Sequence, residues 1–197
     1  MVVPLLPAFH ESELTWILSK CQARVLFTPT RFKHIRPIQM LPGLRPLLPW
    51  LECVVAVEKR EPAAQGITLN QILASQTPLD NDVAGHGDDL AALLFTSGTE
   101  GYPKGVMLTH NNLIASERAY CATLNLNASD TVLMPAPLAH ATGFMHGVTA
   151  PLMTGARSVL MDVFVAEQCL DLLEQEQCTC IMGATPFASD LLDAMTC

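Results

Sequence analysis

The sequence predicts an α/β domain on a mostly parallel sheet flanked by helices, and three observations predict it. Short apolar runs alternate with longer runs of helical periodicity, as βα repetition requires. The run Leu90-Ala91-Ala92-Leu93-Leu94-Phe95 is continuously apolar, as in a strand buried on both faces. Of the 197 residues, 50% are hydrophobic and only 15% are charged, so the chain can build a core and does not resemble a disordered one.

The elements follow in order. Residues near Met1 have the character of a strand end. A helix is expected from Glu11 to Cys21, with Leu14, Ile17 and Leu18 on one face. Ala23 to Phe27 is a short strand closed by Thr28-Pro29. The proline-rich stretch from Arg31 to Pro49 is read as an irregular connection holding at most a helical turn. Leu51 to Glu58 is a valine-rich strand, Lys59 to Gly66 a polar loop, Leu69 to Ser75 a helix, and Gln76 to Asp89 an acidic linker. After the strand from Leu90 to Phe95 comes a glycine-rich turn, Thr96 to Gly105. A helix from His110 to Leu124 opens on Thr109 as N-cap. Thr131 to Met134 is a strand, and Phe144 to Gly155 an apolar helix that ends on glycine. Strands at Ser158 to Met161 and Cys178 to Met182 alternate with helices at Val165 to Gln177 and Phe187 to Ala194.

The net charge of −8, with Lys and Arg scattered, excludes a nucleic-acid binder. No uninterrupted apolar run is long enough to span a bilayer. Contact with a membrane surface and the oligomeric state are left open. The seven cysteines are an odd number without a C-x-x-C pair, which favours reduced core thiols and a cytoplasmic location over half a metal site at Cys178-x-Cys180. No metal-ligating residues are assigned.

The stretch Leu94-Phe95-Thr96-Ser97-Gly98-Thr99-Glu100-Gly101-Tyr102-Pro103-Lys104-Gly105 carries the chemistry. Hydroxyls at Thr96, Ser97 and Thr99 can donate to phosphate oxygens. Gly98 and Gly101 let backbone approach a ligand and turn N–H groups into an anion nest. Lys104 brings positive charge. It is not a Walker A loop, because Pro103 precedes the lysine and Gly105 follows it. A plain surface turn shares some of this composition, but not this order of hydroxyls, glycines and lysine directly after a buried strand.

This segment resembles the signature phosphate loop of the adenylate-forming superfamily, which includes acyl-CoA synthetases, peptide-synthetase adenylation domains and luciferases. Val106-Met107-Leu108-Thr109-His110-Asn111-Asn112 resembles its usual sequel. The likeness is greatest to bacterial short- to medium-chain fatty-acyl-CoA synthetases. It runs through nearly the whole chain, from Val3-Pro4-Leu5 to Gly183-Ala184-Thr185-Pro186. Met134-Pro135-Ala136-Pro137-Leu138-Ala139-His140-Ala141-Thr142-Gly143-Phe144 resembles the next motif, although Ala139 stands where an aromatic residue is common.

The resemblance implies part of the large N-terminal domain of an adenylate-forming enzyme. It implies ATP-dependent activation of a fatty acid to acyl-AMP, then transfer to CoA, with Mg²⁺ bridging phosphate oxygens. By this resemblance Thr96, Ser97, Gly98, Thr99, Glu100, Gly101 and Lys104 hold the nucleotide's phosphates. Lys104, His140 and Thr99 serve catalysis. His140, Gly143, Phe144, Met145 and Gly183 line the acyl pocket, with Val148 further along the apolar helix. His146 reads as core or pocket lining. The turn at Gly183 to Pro186 is equally readable as a strand-to-helix connection with proline in the first helical turn. The family's adenine, ribose and C-terminal-domain motifs do not occur in the 197 residues, so the chain is expected to be an internal fragment, inactive alone. Rival readings are an adenylation domain that loads a carrier protein, and a non-catalytic nucleotide-binding remnant.

Overall fold

The structure, a computed structural model, describes residues 1–57, 67–77, 85–96 and 102–196. The described residues form two compact units, one of residues 5–57, 67–77 and 102–104 and one of residues 1–4, 85–96 and 105–196. The expected loop from Lys59 to Gly66, the end of the strand at Glu58 and most of the linker between Gln76 and Asp89 lie outside the described residues.

The first unit begins with helix α1 (Glu11–Cys21). Glu11 and Glu13 stand in its first turn and Lys20 in its last, matching the helix dipole at both ends. The Glu13 carboxylate also accepts from the His10 N–H at 3.0 Å. Strands β1 (Val25–Thr28), β2 (Cys53–Ala56) and β3 (Ile67–Thr68) pair in that order, all parallel, with Val25 opposite Cys53 and Val55 opposite Ile67. Between β1 and β2 the stretch read as irregular contains a real helix, α2 (Pro37–Leu44), followed by a 3-10 turn at Arg45–Leu47. Pro37 sits in the first turn, where its missing N–H costs nothing, whereas Pro42 lies inside the helix and forgoes the bond to the Ile38 carbonyl. Leu41, Leu44 and Leu48 recur on one face and join Leu14, Leu18, Leu26, Leu51 and Val54 in a wholly aliphatic core. Helix α3 (Leu69–Ser75) is capped by Thr68, whose hydroxyl accepts from the Gln71 N–H at 3.2 Å while the Gln71 side chain returns the bond at 2.8 Å.

In the second unit strand β4 (Leu90–Thr96) pairs with β5 (Lys104–Thr109), and Val2 adds a parallel bridge to Ala92. Strand β5 was hidden in the sequence because the glycine-rich turn was expected to run on to Gly105, and Val106 and Met107 stay exposed. Helix α4 (His110–Leu124) starts at Thr109, whose hydroxyl accepts from the Asn112 N–H at 3.1 Å. Strand β6 (Thr131–Met134) lies between β7 (Arg157–Leu160) and β8 (Cys180–Ile181), parallel to both, and all four of its residues are buried. A central parallel strand covered on both faces has this continuous apolar sequence.

One helical run links β6 to β7. It comprises α5 (Ala141–Phe144), a π turn (Met145–Thr149) and α6 (Ala150–Thr154), and ends on Gly155 at φ 74°, a left-handed cap that favours glycine. The run therefore starts three residues before the expected Phe144. Helices α7 (Ala166–Gln175) and α8 (Thr185–Met195) complete the unit, with Cys169, Leu172, Leu173 and Leu191 packed around Leu133 and Met161. The six described cysteines are free thiols. Among the described residues no helix is long and apolar enough to cross a membrane.

Candidate functional site

Two strands present the ends of the glycine-rich loop. Thr96 closes β4 and Lys104 opens β5, both exposed. Ser97, Gly98, Thr99, Glu100 and Gly101 lie outside the described residues. The chain that follows them is pinned within the first unit. The Tyr102 ring stacks on Trp16 of α1 with centroids 4.3 Å apart, and the Trp16 indole N–H donates to the Pro103 carbonyl at 3.3 Å. The Lys20 ammonium lies 4.6 Å from the Trp16 ring centroid, a cation–π contact. The backbone just before Lys104 is thus fixed by side chains that no local pattern connects. At Gly105 a Cβ would lie 3.2 Å from Leu93 and 3.3 Å from the Phe95 ring, so the missing side chain lets β5 start close against β4.

A hydroxyl at one end of this loop and an ammonium at the other are the donor chemistry that phosphate oxygens take. Among the described residues no three His, Cys, Asp or Glu side chains gather as a metal site.

His140 is the N-cap of α5. Its N–H donates to the Pro137 carbonyl at 3.0 Å, and its Nδ1 accepts from the Thr142 N–H at 3.3 Å. In the neutral tautomer that acceptor role places the proton on Nε2, and the residue is exposed. Gly143 is buried, and a Cβ there would lie 2.2 Å from the Pro137 carbonyl oxygen, so the first turn can fold against the Ala136-Pro137 backbone only with glycine. Phe144 and Met145 are half-buried and pack on Ala91, Ala92 and Leu113. Gly183 is exposed in the turn between β8 and α8, where a Cβ would meet the Phe187 ring at 2.9 Å, and Phe187 in turn meets Phe164 edge-on at 4.6 Å.

The side chain that sequence reasoning missed is Glu117. It lies on the buried stripe of α4 between Leu113 and Cys121 and is wholly inaccessible to solvent. Its Oε2 pairs with His146 Nδ1 at 3.0 Å, and the His146 ring stacks on Tyr120 with centroids 4.0 Å apart. Neither Glu117 Oε1 nor the Tyr120 hydroxyl has a hydrogen-bond partner among the described residues. Burial, above all, pushes the Tyr120 phenol up to about 12, with smaller contributions from Cys180, Glu117 and Cys121. The available signal was an acidic residue at the i+4 position of an otherwise apolar helical stripe.

Parallel sheets flanked by helices, with the loop leaving a strand of the second unit, have the architecture of the large domain of adenylate-forming enzymes. The apo structure of MbtA from Mycobacterium smegmatis superposes with a TM-score of 0.84 over 96% of this chain and 35% of that one, at 21% identity, and so speaks for the fold alone. The anthranilate CoA ligase AuaEII, solved with anthranoyl-AMP, superposes with a TM-score of 0.79 over 88% of this chain and 33% of its own, at 25% identity. The chain belongs to the AMP-binding enzyme family, whose profile matches residues 1–196. It is 58% identical over 193 residues to the medium-chain fatty-acid–CoA ligase of Escherichia coli, covering 98% of this chain and 34% of that enzyme. It is also 30% identical over 198 aligned positions to a CoA ligase of Mycobacterium tuberculosis named for a methyl-dioxo-octahydroindenyl propanoyl group. The chain thus spans about a third of the length of the curated relatives it matches.

Proposed function

We propose that this chain is the phosphate-loop segment of a fatty-acyl-CoA ligase. The whole enzyme activates a fatty acid with ATP to acyl-AMP and pyrophosphate, and the thiol of CoA then displaces AMP to give the acyl-CoA. The observation that carries this reading is a hydroxyl- and lysine-ended loop between two paired strands, in a chain 58% identical to a medium-chain fatty-acid–CoA ligase.

In this reading Lys104 and Thr96, with Ser97, Gly98, Thr99, Glu100 and Gly101 between them, hold the β- and γ-phosphates of ATP. Their work is positioning and charge stabilisation as the α-phosphorus is attacked. The Trp16–Tyr102 stack and the bond to Pro103 fix the strand end from which Lys104 reaches the ligand. Mg²⁺ screens the polyphosphate charge when bound. His140, exposed at the N-cap of α5, donates to the fatty carboxylate and orients it. Gly143, Phe144 and Met145 shape the acyl entrance beside it, and Gly183 borders it. We place the enzyme in the cytoplasm on the strength of its free thiols.

The test places this chain in the matching 193-residue segment of the E. coli ligase. The expected outcome is pyrophosphate release that depends on a medium-chain saturated acid. Lys104→Ala should lower it by about a hundredfold, the scale of removing one preorganised charge from a reacting centre. A soluble, folded graft that releases no pyrophosphate with any saturated fatty acid would refute the reading.

A further inference from the structure

The helical run after His140 is held by an arrangement that stability alone does not explain. A π turn is the least favoured helical form and is commonly found at functional sites. Here it spans Met145–Thr149, only one residue beyond Phe144. Three contacts fix it. Ser158 Oγ donates to the Gly147 carbonyl at 2.6 Å. Gly147 packs so closely that a Cβ would lie 2.6 Å from Met134 Cγ. The third is the His146–Glu117 pair at 3.0 Å, with Tyr120 stacked on the imidazole.

This third contact is costly. Glu117 is wholly buried, its Oε1 lacks a partner among the described residues, and so does the Tyr120 hydroxyl. Apolar residues of like volume at buried ion pairs are often neutral or stabilising. What the pair supplies instead is geometry. It ties the π turn to α4, directly after α5, which His140 caps and whose last two residues are Gly143 and Phe144.

We propose that Glu117 is a positioning residue for the fatty-acid substrate. Through His146 Nδ1 it holds the π turn in register, and the turn aims His140 and Phe144. This rests on the reading above, in which His140 and Phe144 meet the acyl group. Glu117 is wholly buried and paired with His146, so its loss acts through the turn on the acid and leaves ATP binding alone.

The experiment uses the same graft into the E. coli ligase, with KM for a medium-chain acid and for ATP measured separately. Glu117→Ala should raise KM for the acid about tenfold or more, with KM for ATP changed less than about twofold. Glu117→Gln, whose amide oxygen can still accept from the His146 ring N–H, should restore KM for the acid close to the parent value. His146→Ala should match Glu117→Ala, and the double variant should add nothing, because both remove one contact. Parallel rises in both KM values, penalties that multiply in the double variant, or failure of Glu117→Gln to rescue would overturn the proposal while leaving the ligase reading standing. A folded parent graft without fatty-acid-dependent activity would instead remove the ligase reading, and the proposal with it.

Discussion

The two units build their interiors differently. In the first, Leu14, Leu18, Leu26, Leu41, Leu44, Leu48, Leu51 and Val54 make a core without a polar atom in its side chains. In the second, the stripe of α4 places Glu117 between Leu113 and Cys121 and completes it with His146 and Tyr120. An aliphatic core gains stability from every buried methylene and tolerates volume-conserving repacking. A buried ion pair contributes little net stability, but removing one partner is costly because it leaves the other charge buried and unpaired. The first interior supports a scaffold, and the second specifies the shape of one helical turn.

Deletion in the aliphatic core should have the largest effect. Leu48 is 1% exposed, and Leu48→Ala should cost about 4 kcal/mol in urea unfolding, through lost burial and the cavity left behind. Next comes His146→Ala, which strands the buried Glu117 carboxylate and should cost about 3 kcal/mol. The contrast sharpens with the paired replacement Glu117→Leu and His146→Leu. If the pair serves geometry, this double variant should unfold at higher urea than the parent, by about 1 kcal/mol, while losing acid binding. A loss of stability comparable to Leu48→Ala would erase the difference between the two interiors.

The smallest effect belongs to Tyr120. Its hydroxyl has no partner among the described residues, so Tyr120→Phe should stabilise by up to about 1 kcal/mol at neutral pH. The phenol is raised from 10.0 to about 12, chiefly by burial, so the fold favours the neutral form. The unfolded chain ionises first, and the contribution of the neutral phenol is full below pH 10 and lost as pH rises through about 12. Tyr120→Phe should remove that part of the alkaline fall in stability, read as a smaller change in unfolding midpoint between pH 9 and 12.

Most of the elements were legible in the sequence because their signals are local. Leu14, Ile17 and Leu18 mark the face of α1, Thr109 caps α4, and the apolar run from Leu90 marks β4. Helix α2 was not, because its prolines argue against a helix and only Leu41, Leu44 and Leu48, drawn into a shared core, override them. Strand β5 needed its partner β4 to exist. At the candidate site, the order of hydroxyls, glycines and lysine singled out Thr96 and Lys104. The sequence also picked out His140 and Gly143, but not that Gly143 is there for the Pro137 carbonyl at its back.

The sequence by itself determined the class of the protein: an α/β chain whose loop chemistry, fixed by residue type and order along the backbone, belongs with the AMP-binding enzymes. Only the tertiary structure decided which distant side chains meet. Trp16 of α1 meets Tyr102, just before β5, across 86 residues of chain, and Glu117 of α4 meets His146 of the π turn across 29. Contacts of that kind leave no periodicity or motif in a linear string. They follow from packing, where a residue's role is set by what folds against it.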